Sequence, residues 1–88
     1  MWFVYIIKSR QTNRIYIGST NNLRRRFSEH NAGLSISTKA ERPWKVIAYI
    51  AVPREYTARK LEKYFKAGSG KAVLWKRVLT DEALRSRA

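Results

Sequence analysis

Arg26 and His30 fall in step with Leu23 and Phe27. At about 100° per residue, these four share one face of a helix, while Arg24, Arg25 and Glu29 point elsewhere. That face must meet the rest of the fold. A guanidinium beside it cannot shed its proton, so it has to be paired or face an anion. A second stripe, Ala58, Leu61, Glu62 and Phe65, repeats the pattern with a carboxylate, and Lys60 and Lys63 point away from it. In a purely structural reading, Arg26 and Glu62 form a buried ion pair between helices. His30 is then a satisfied core histidine, and Tyr5 and Tyr16 are ordinary strand aromatics. Taken together the set suits phosphodiester cleavage. A single Glu62 can hold Mg2+ or Mn2+, with waters and phosphate oxygens completing the shell. The ion polarises the phosphate and stabilises the leaving oxygen. Arginine neutralises charge gathering on the phosphoryl group. A tyrosine takes a proton from water if neighbouring cations pull its pKa below the ordinary ~10. A two-metal site would need more clustered carboxylates than these.

Elements at defined places must bring those residues together. "WFVYIIKS" (2–9) and "IYIGS" (15–19) are rich in β-branched and aromatic residues, and the polar "RQTNR" between them reads as a hairpin connection. Neither run alternates cleanly, which predicts a sheet covered on both faces. A helix is expected from Thr20 or Asn21 as N-cap to about Ala32, with Gly33 as its stop. "LSISTKAERP" is a polar loop, Pro43 opens a third strand at 44–52, and Pro53 ends it. A second helix is expected over 54–67, closed by "GSG" at 68–70, and a short third one over 71–79. The order ββαβαα predicts an α+β domain over 1–80, with a small three-stranded, at least partly antiparallel sheet flanked by helices. Residues 81–88 read as a tail.

Composition narrows the partner. The 88 residues hold 19 Lys+Arg against 6 Asp+Glu, a net charge of +13, which favours a polyanion, nucleic acid first and an anionic membrane surface second. No long amphipathic helix with a basic face stands out, which demotes the membrane. The apolar run at 2–7 is too short to span a bilayer and lacks the flanks of a signal peptide, so the expected location is the cytoplasm. Without cysteine there is neither a disulfide nor a thiolate-ligated zinc. "GSGK" at 68–71 is not a Walker A loop, and the lone Asp81 in the tail argues against a Ser-His-Asp hydrolase.

At these residues the chain resembles the GIY-YIG nuclease superfamily, in which two tyrosine-bearing strand triplets precede a helix with arginine and often histidine, and then a helix with glutamate. The second triplet is intact as Tyr16-Ile17-Gly18; the first, Phe3-Val4-Tyr5, keeps only its tyrosine. "YIGSTNNLRRRFSEH" places the family arginine at Arg26 and the histidine at His30, and "ARKLEKYFK" places the glutamate at Glu62. The likeness covers residues 2 to 79 and is closest to small stand-alone bacterial members, which carry a segment like Ser37-Thr38-Lys39 followed by Arg42-Pro43-Trp44. It implies a one-step, metal-bound hydrolysis of DNA, in the setting of repair or recombination. In that scheme Tyr5 is the general base, Tyr16 its orienter or substitute, His30 the residue that positions a tyrosine or phosphate, and Glu62 the metal ligand. Gly18 would let strand and helix approach closely. Arg24, Arg25, Lys39, Lys60 and Lys63 would meet phosphates. Many members carry an asparagine after the glutamate; residues 63 to 88 have none, and Ser69 is the nearest substitute. One such site cuts one strand, so a double-strand break takes a homodimer or two visits. The competing class is a non-catalytic DNA- or RNA-binding module on the same scaffold, for which Glu62 would be a liability beside phosphate.

Overall fold

The computed structural model describes residues 1–80. Two strands, β1 (Trp2–Ser9) and β2 (Ile15–Thr20), form an antiparallel hairpin. A helix α1 (Leu23–Ala32), a 3-10 turn (Lys39–Glu41) and a third strand β3 (Trp44–Val52) follow. Then come helices α2 (Glu55–Phe65) and α3 (Gly68–Val73), the latter running on into a π-helical turn at Leu74–Val78. The fold is α+β in the expected order. The sheet is antiparallel throughout, with strand order β2-β1-β3.

The central position of β1 explains why its sequence does not alternate. Val4 and Ile6 point to one face and join Ile17, Ala58, Phe65, Leu74 and Leu79 in an aliphatic core under α2 and α3. Tyr5 and Ile7 point to the other and pack with Trp44, Tyr16, Leu23 and Phe27 under α1. Both faces are covered, so every residue from Val4 to Ile7 is buried. A bulge between Ile6 and Ile7 shifts the register against β3, pairing Ile6 with Ala48 and Ile7 with Val46.

The helix boundaries depart from expectation in ways that hydrogen bonding accounts for. Thr20 is the last residue of β2, and its hydroxyl accepts from the Asn22 amide at 3.1 Å. Neither Thr20 nor Asn21 caps α1: Asn22 does, accepting from the Arg25 amide at 3.0 Å. Gly33 stops the helix as predicted, at φ +80°, with its N–H bonded back into the last turn. The Gly-Ser-Gly segment is not merely the end of α2. It starts α3 three residues earlier than the apolar pattern suggested, because a Cβ on Gly70 would collide with the Tyr64 carbonyl of α2. The close turn needs glycine there, and Ser69 lies exposed on it.

Candidate active site

Tyr5 is the hub. It stands on the central strand opposite Gly18 of β2, and its side chain is almost wholly buried. A Cβ on Gly18 would sit 2.6 Å from the Tyr5 ring carbon Cζ and closer still to its hydroxyl, so only glycine leaves room for the phenol to cross β2. The close approach expected at Gly18 is therefore between strand and strand, not strand and helix.

α1 delivers two groups to the phenol. Its inner stripe places Phe27 on the aromatic core and His30 under the sheet, where the imidazole is fully buried. His30 Nε2 is 2.8 Å from Tyr5 Oη, and Nδ1 is 2.7 Å from Thr38 Oγ1. Thr38 is itself fully buried, and its hydroxyl has no other hydrogen-bond partner among the described residues. A neutral imidazole accepts at one ring nitrogen and donates at the other, so it takes a hydrogen bond from one of these two hydroxyls and gives one to the other. The Trp44 indole N–H donates to the Thr38 carbonyl at 2.8 Å, and Asn31 clamps the backbone of Trp44, so the loop that presents Thr38 is tied to β3.

Arg26 lies one turn before His30, with its guanidinium close enough to Tyr5 to favour the phenolate. Its ion partner is Glu29 at 3.0 Å, not Glu62. The inter-helix salt bridge does not form, and Glu29 does not point idly outward, because the i, i+3 spacing brings it back over Arg26. Burial works against the guanidinium, but Glu29 and Tyr5 outweigh it and raise its pKa.

The α2 side supplies the carboxylate. Glu62 follows Leu61 and sits at the sheet edge with its side chain 23% exposed. Ser19 Oγ donates to Oε1 at 2.6 Å and Lys66 Nζ to Oε2 at 2.8 Å. Burial opposes ionisation here; the hydrogen bonds from Lys66 and Ser19, with the charges of Lys66 and Arg59, still hold the carboxyl below its usual range. Tyr16, on the edge strand, lies 5.2 Å from the His30 ring and 6.5 Å from the Tyr5 ring between centroids. Lys66 Nζ stands 5.8 Å from the centroid of Tyr16. Two helices on opposite faces of the sheet thus reach around the same edge strand.

The electrostatics set the resting state. Burial pushes the Tyr5 phenol up to about 12, helped by Tyr16 and Glu62 and opposed by Arg26. Arginine does pull the phenol down, as the sequence reading required, but desolvation wins. Burial, with Arg26 adding to it, pushes His30 down to about 4, so the imidazole is neutral at physiological pH. Among the described residues no three His, Cys, Asp or Glu side chains converge as a metal cage, and both His30 nitrogens are committed. One ionised carboxylate remains. It fits a hard divalent ion that draws the rest of its shell from water and phosphate oxygens, and does not fit zinc.

Tyr5, Tyr16, Arg26, His30 and Glu62 therefore gather at one edge. Arg24, Arg25, Lys39, Lys60 and Lys63 are exposed and stay outside the cluster. Lys60 lies over the Tyr56 ring at 4.9 Å and Arg25 makes a loose 3.9 Å pair with Glu29. Three participants escaped the sequence reading. Lys66 had a usable signal, the i+4 spacing from Glu62. Ser19 had a weaker one, alternation with Gly18. Thr38 had none beyond lying in the "STK" segment, since only the fold brings it to His30.

The profile of the GIY-YIG catalytic domain matches residues 1–76. A UPF0213 protein of Listeria welshimeri is 40% identical over 70 residues, covering 78% of this chain and 77% of its own. One from Listeria innocua matches equally, and one from Cupriavidus pinatubonensis is 32% identical over 62 residues, 69% of this chain and 68% of its own. No described helix is long and apolar enough to cross a membrane.

Proposed function

We propose that this chain, which belongs to the GIY-YIG family, is a divalent-metal-dependent endonuclease that hydrolyses phosphodiester bonds in DNA. The family's catalytic domain is of nuclease type, and a nucleic acid is its substrate class. The observation that carries the reading is the setting of the Tyr5 oxygen: His30 Nε2 stands 2.8 Å from it, and the Arg26 guanidinium and the Glu62 carboxylate are close enough to influence the phenol. A structural tyrosine needs one hydrogen bond; an imidazole partner with a guanidinium alongside suits an oxygen that must carry negative charge.

In this reading Tyr5 is the general base. At neutral pH it holds its proton; once the proton has left, His30 and Arg26 meet the phenolate, and the phenolate takes a proton from the attacking water. Arg26 also faces the phosphate, Tyr16 orients the phenol, and Thr38 fixes the imidazole. Glu62 would hold Mg2+ or Mn2+, which supplies polarisation of the phosphate and stabilisation of the leaving oxygen. The exposed Arg24, Arg25, Lys39, Lys60 and Lys63 supply phosphate attraction.

Glu62→Gln tests this directly. The partners of Glu62 are Ser19 and a half-exposed Lys66, so the variant is expected to fold with a melting temperature close to that of the parent. Cleavage falls by at least roughly 10²–10³-fold, while DNA binding persists or tightens. A folded variant that cuts with undiminished metal dependence refutes the site. A parent chain that binds DNA but cuts with neither Mg2+ nor Mn2+ is instead a binding module on a nuclease scaffold.

A further inference from the structure

A pocket of about 530 Å³ lies beside the cluster. Ile15, Tyr16 and Ile17 all line it, and since their side chains alternate between faces, it runs along the unpaired edge of β2. Its walls combine two aromatic residues, Tyr16 and Trp75, with aliphatic and phenyl surface from Ile17, Leu74 and Phe65. Lys66 and Lys71 stand at it and no acidic side chain lines it. Flat aromatic walls with ammonium groups and no carboxylate match an aromatic ring that carries phosphate. Trp75 is presented by the π-helical turn, closed by the Leu79 N–H to Leu74 carbonyl bond at 2.8 Å; such widened turns recur at ligand sites.

The pocket and the reactive cluster share side chains. Tyr16 is part of both, and Lys66 reaches from the pocket to Glu62 Oε2. A ring seated here therefore rests against side chains that also belong to the reactive cluster. A base inside a duplex is stacked on both sides and paired, and cannot enter without leaving the helix.

We propose that this pocket receives the base of one unpaired nucleotide next to the phosphate being cut, stacked on Trp75 and Tyr16, with Lys66 and Lys71 on flanking phosphates. The substrate class is then nucleic acid with unpaired nucleotides at the cut, such as a single strand, a frayed end or a flap, in preference to continuous duplex. The proposal rests on the nuclease reading and gives it a substrate.

The test uses the full chain with Mn2+ and end-labelled DNA 20-mers: a single strand, the same sequence as duplex, and single strands with one abasic site moved along the chain. Binding is read by fluorescence anisotropy without metal, and cutting by gel. The single strand is expected to be cut faster than duplex, and one abasic position beside the cut to weaken binding and cutting by roughly 5- to 100-fold. Trp75→Leu removes that positional effect and leaves residual cutting. Should the variant fold poorly, the abasic series on the parent chain still decides. If the chain cuts but every abasic position is neutral, or duplex serves as well as single strand, the pocket assignment is overturned and the nuclease reading stands. If binding senses one abasic position but nothing is cut with Mg2+ or Mn2+, the pocket stands and the nuclease reading fails.

Discussion

Tyr5 and Ile6 are neighbours on the same strand, buried to the same degree, yet they face different worlds. Ile6 enters a core of Val4, Ile17, Phe65 and Leu74 that contains no polar side chain. Tyr5 enters a layer that also holds two buried polar side chains, His30 and Thr38, hydrogen-bonded in series. The aliphatic face gains stability from area and shape, and tolerates exchange of one hydrocarbon for another. The polar face has every buried side-chain donor and acceptor matched among the described residues, so each of its members depends on the next. Burial on one side serves the fold; on the other it serves to keep an imidazole neutral and a phenol protonated.

Exchanging one residue on each face is the strongest way to break this contrast. Tyr5→Phe should lower turnover by roughly 10²–10⁴-fold and abolish the rise of rate with pH that a base titrating near 12 imposes across the neutral range. It leaves His30 Nε2 without its partner, at a cost of about 1–3 kcal/mol in a denaturant melt. Ile6→Ala should do the reverse, losing about 2–5 kcal/mol of stability while activity per folded molecule stays unchanged. Equal damage to both quantities in both variants would show that the faces are not separable.

Arg26→Ala sharpens the comparison within one helix. Turnover should fall by roughly 10²–10³-fold, whereas Arg24→Ala, on the exposed side of α1, should change mainly affinity and its salt dependence. If single-turnover rates fall equally, the helical face does not matter.

The last effect is one of pH on stability. The folded chain holds His30 down to about 4 from its ordinary 6.5. Above 6.5 neither state takes the proton; between 6.5 and 4 the unfolded chain takes it and the folded chain does not. Stability is therefore full above 6.5 and declines as pH falls through that window, by up to about 3 kcal/mol. Urea melts at several pH values should show the slope, and His30→Gln should remove most of it.

Much of this was legible beforehand, for reasons that are local. Strands 2–9 and 44–52 could be read because β-branched and aromatic runs are bounded by turn residues, and the inner face of α1 because helical periodicity is a property of spacing alone. The α1 cap was misplaced by one or two residues because Thr20, Asn21 and Asn22 are all competent, and the ladder consumes Thr20. The start of α3 was misread because glycines suggest a stop unless a close packing partner, here the Tyr64 carbonyl, is known. The partners of Arg26 and Glu62 lay beyond reach for the same reason as Thr38. Which of several possible ions meet depends on side-chain paths through the assembled fold, and the sequence encodes those only through the whole.

The order β2-β1-β3 puts the strand of Tyr5 between two others, laddered on both sides. Amides in such a position exchange with solvent only when the whole domain opens. The reactive oxygen is therefore anchored in the last part of the chain to come apart. Warming or mild denaturant can loosen turns and exposed helix ends without displacing it. Loss of activity short of unfolding then comes from the helix-borne Arg26 and Glu62, not from Tyr5.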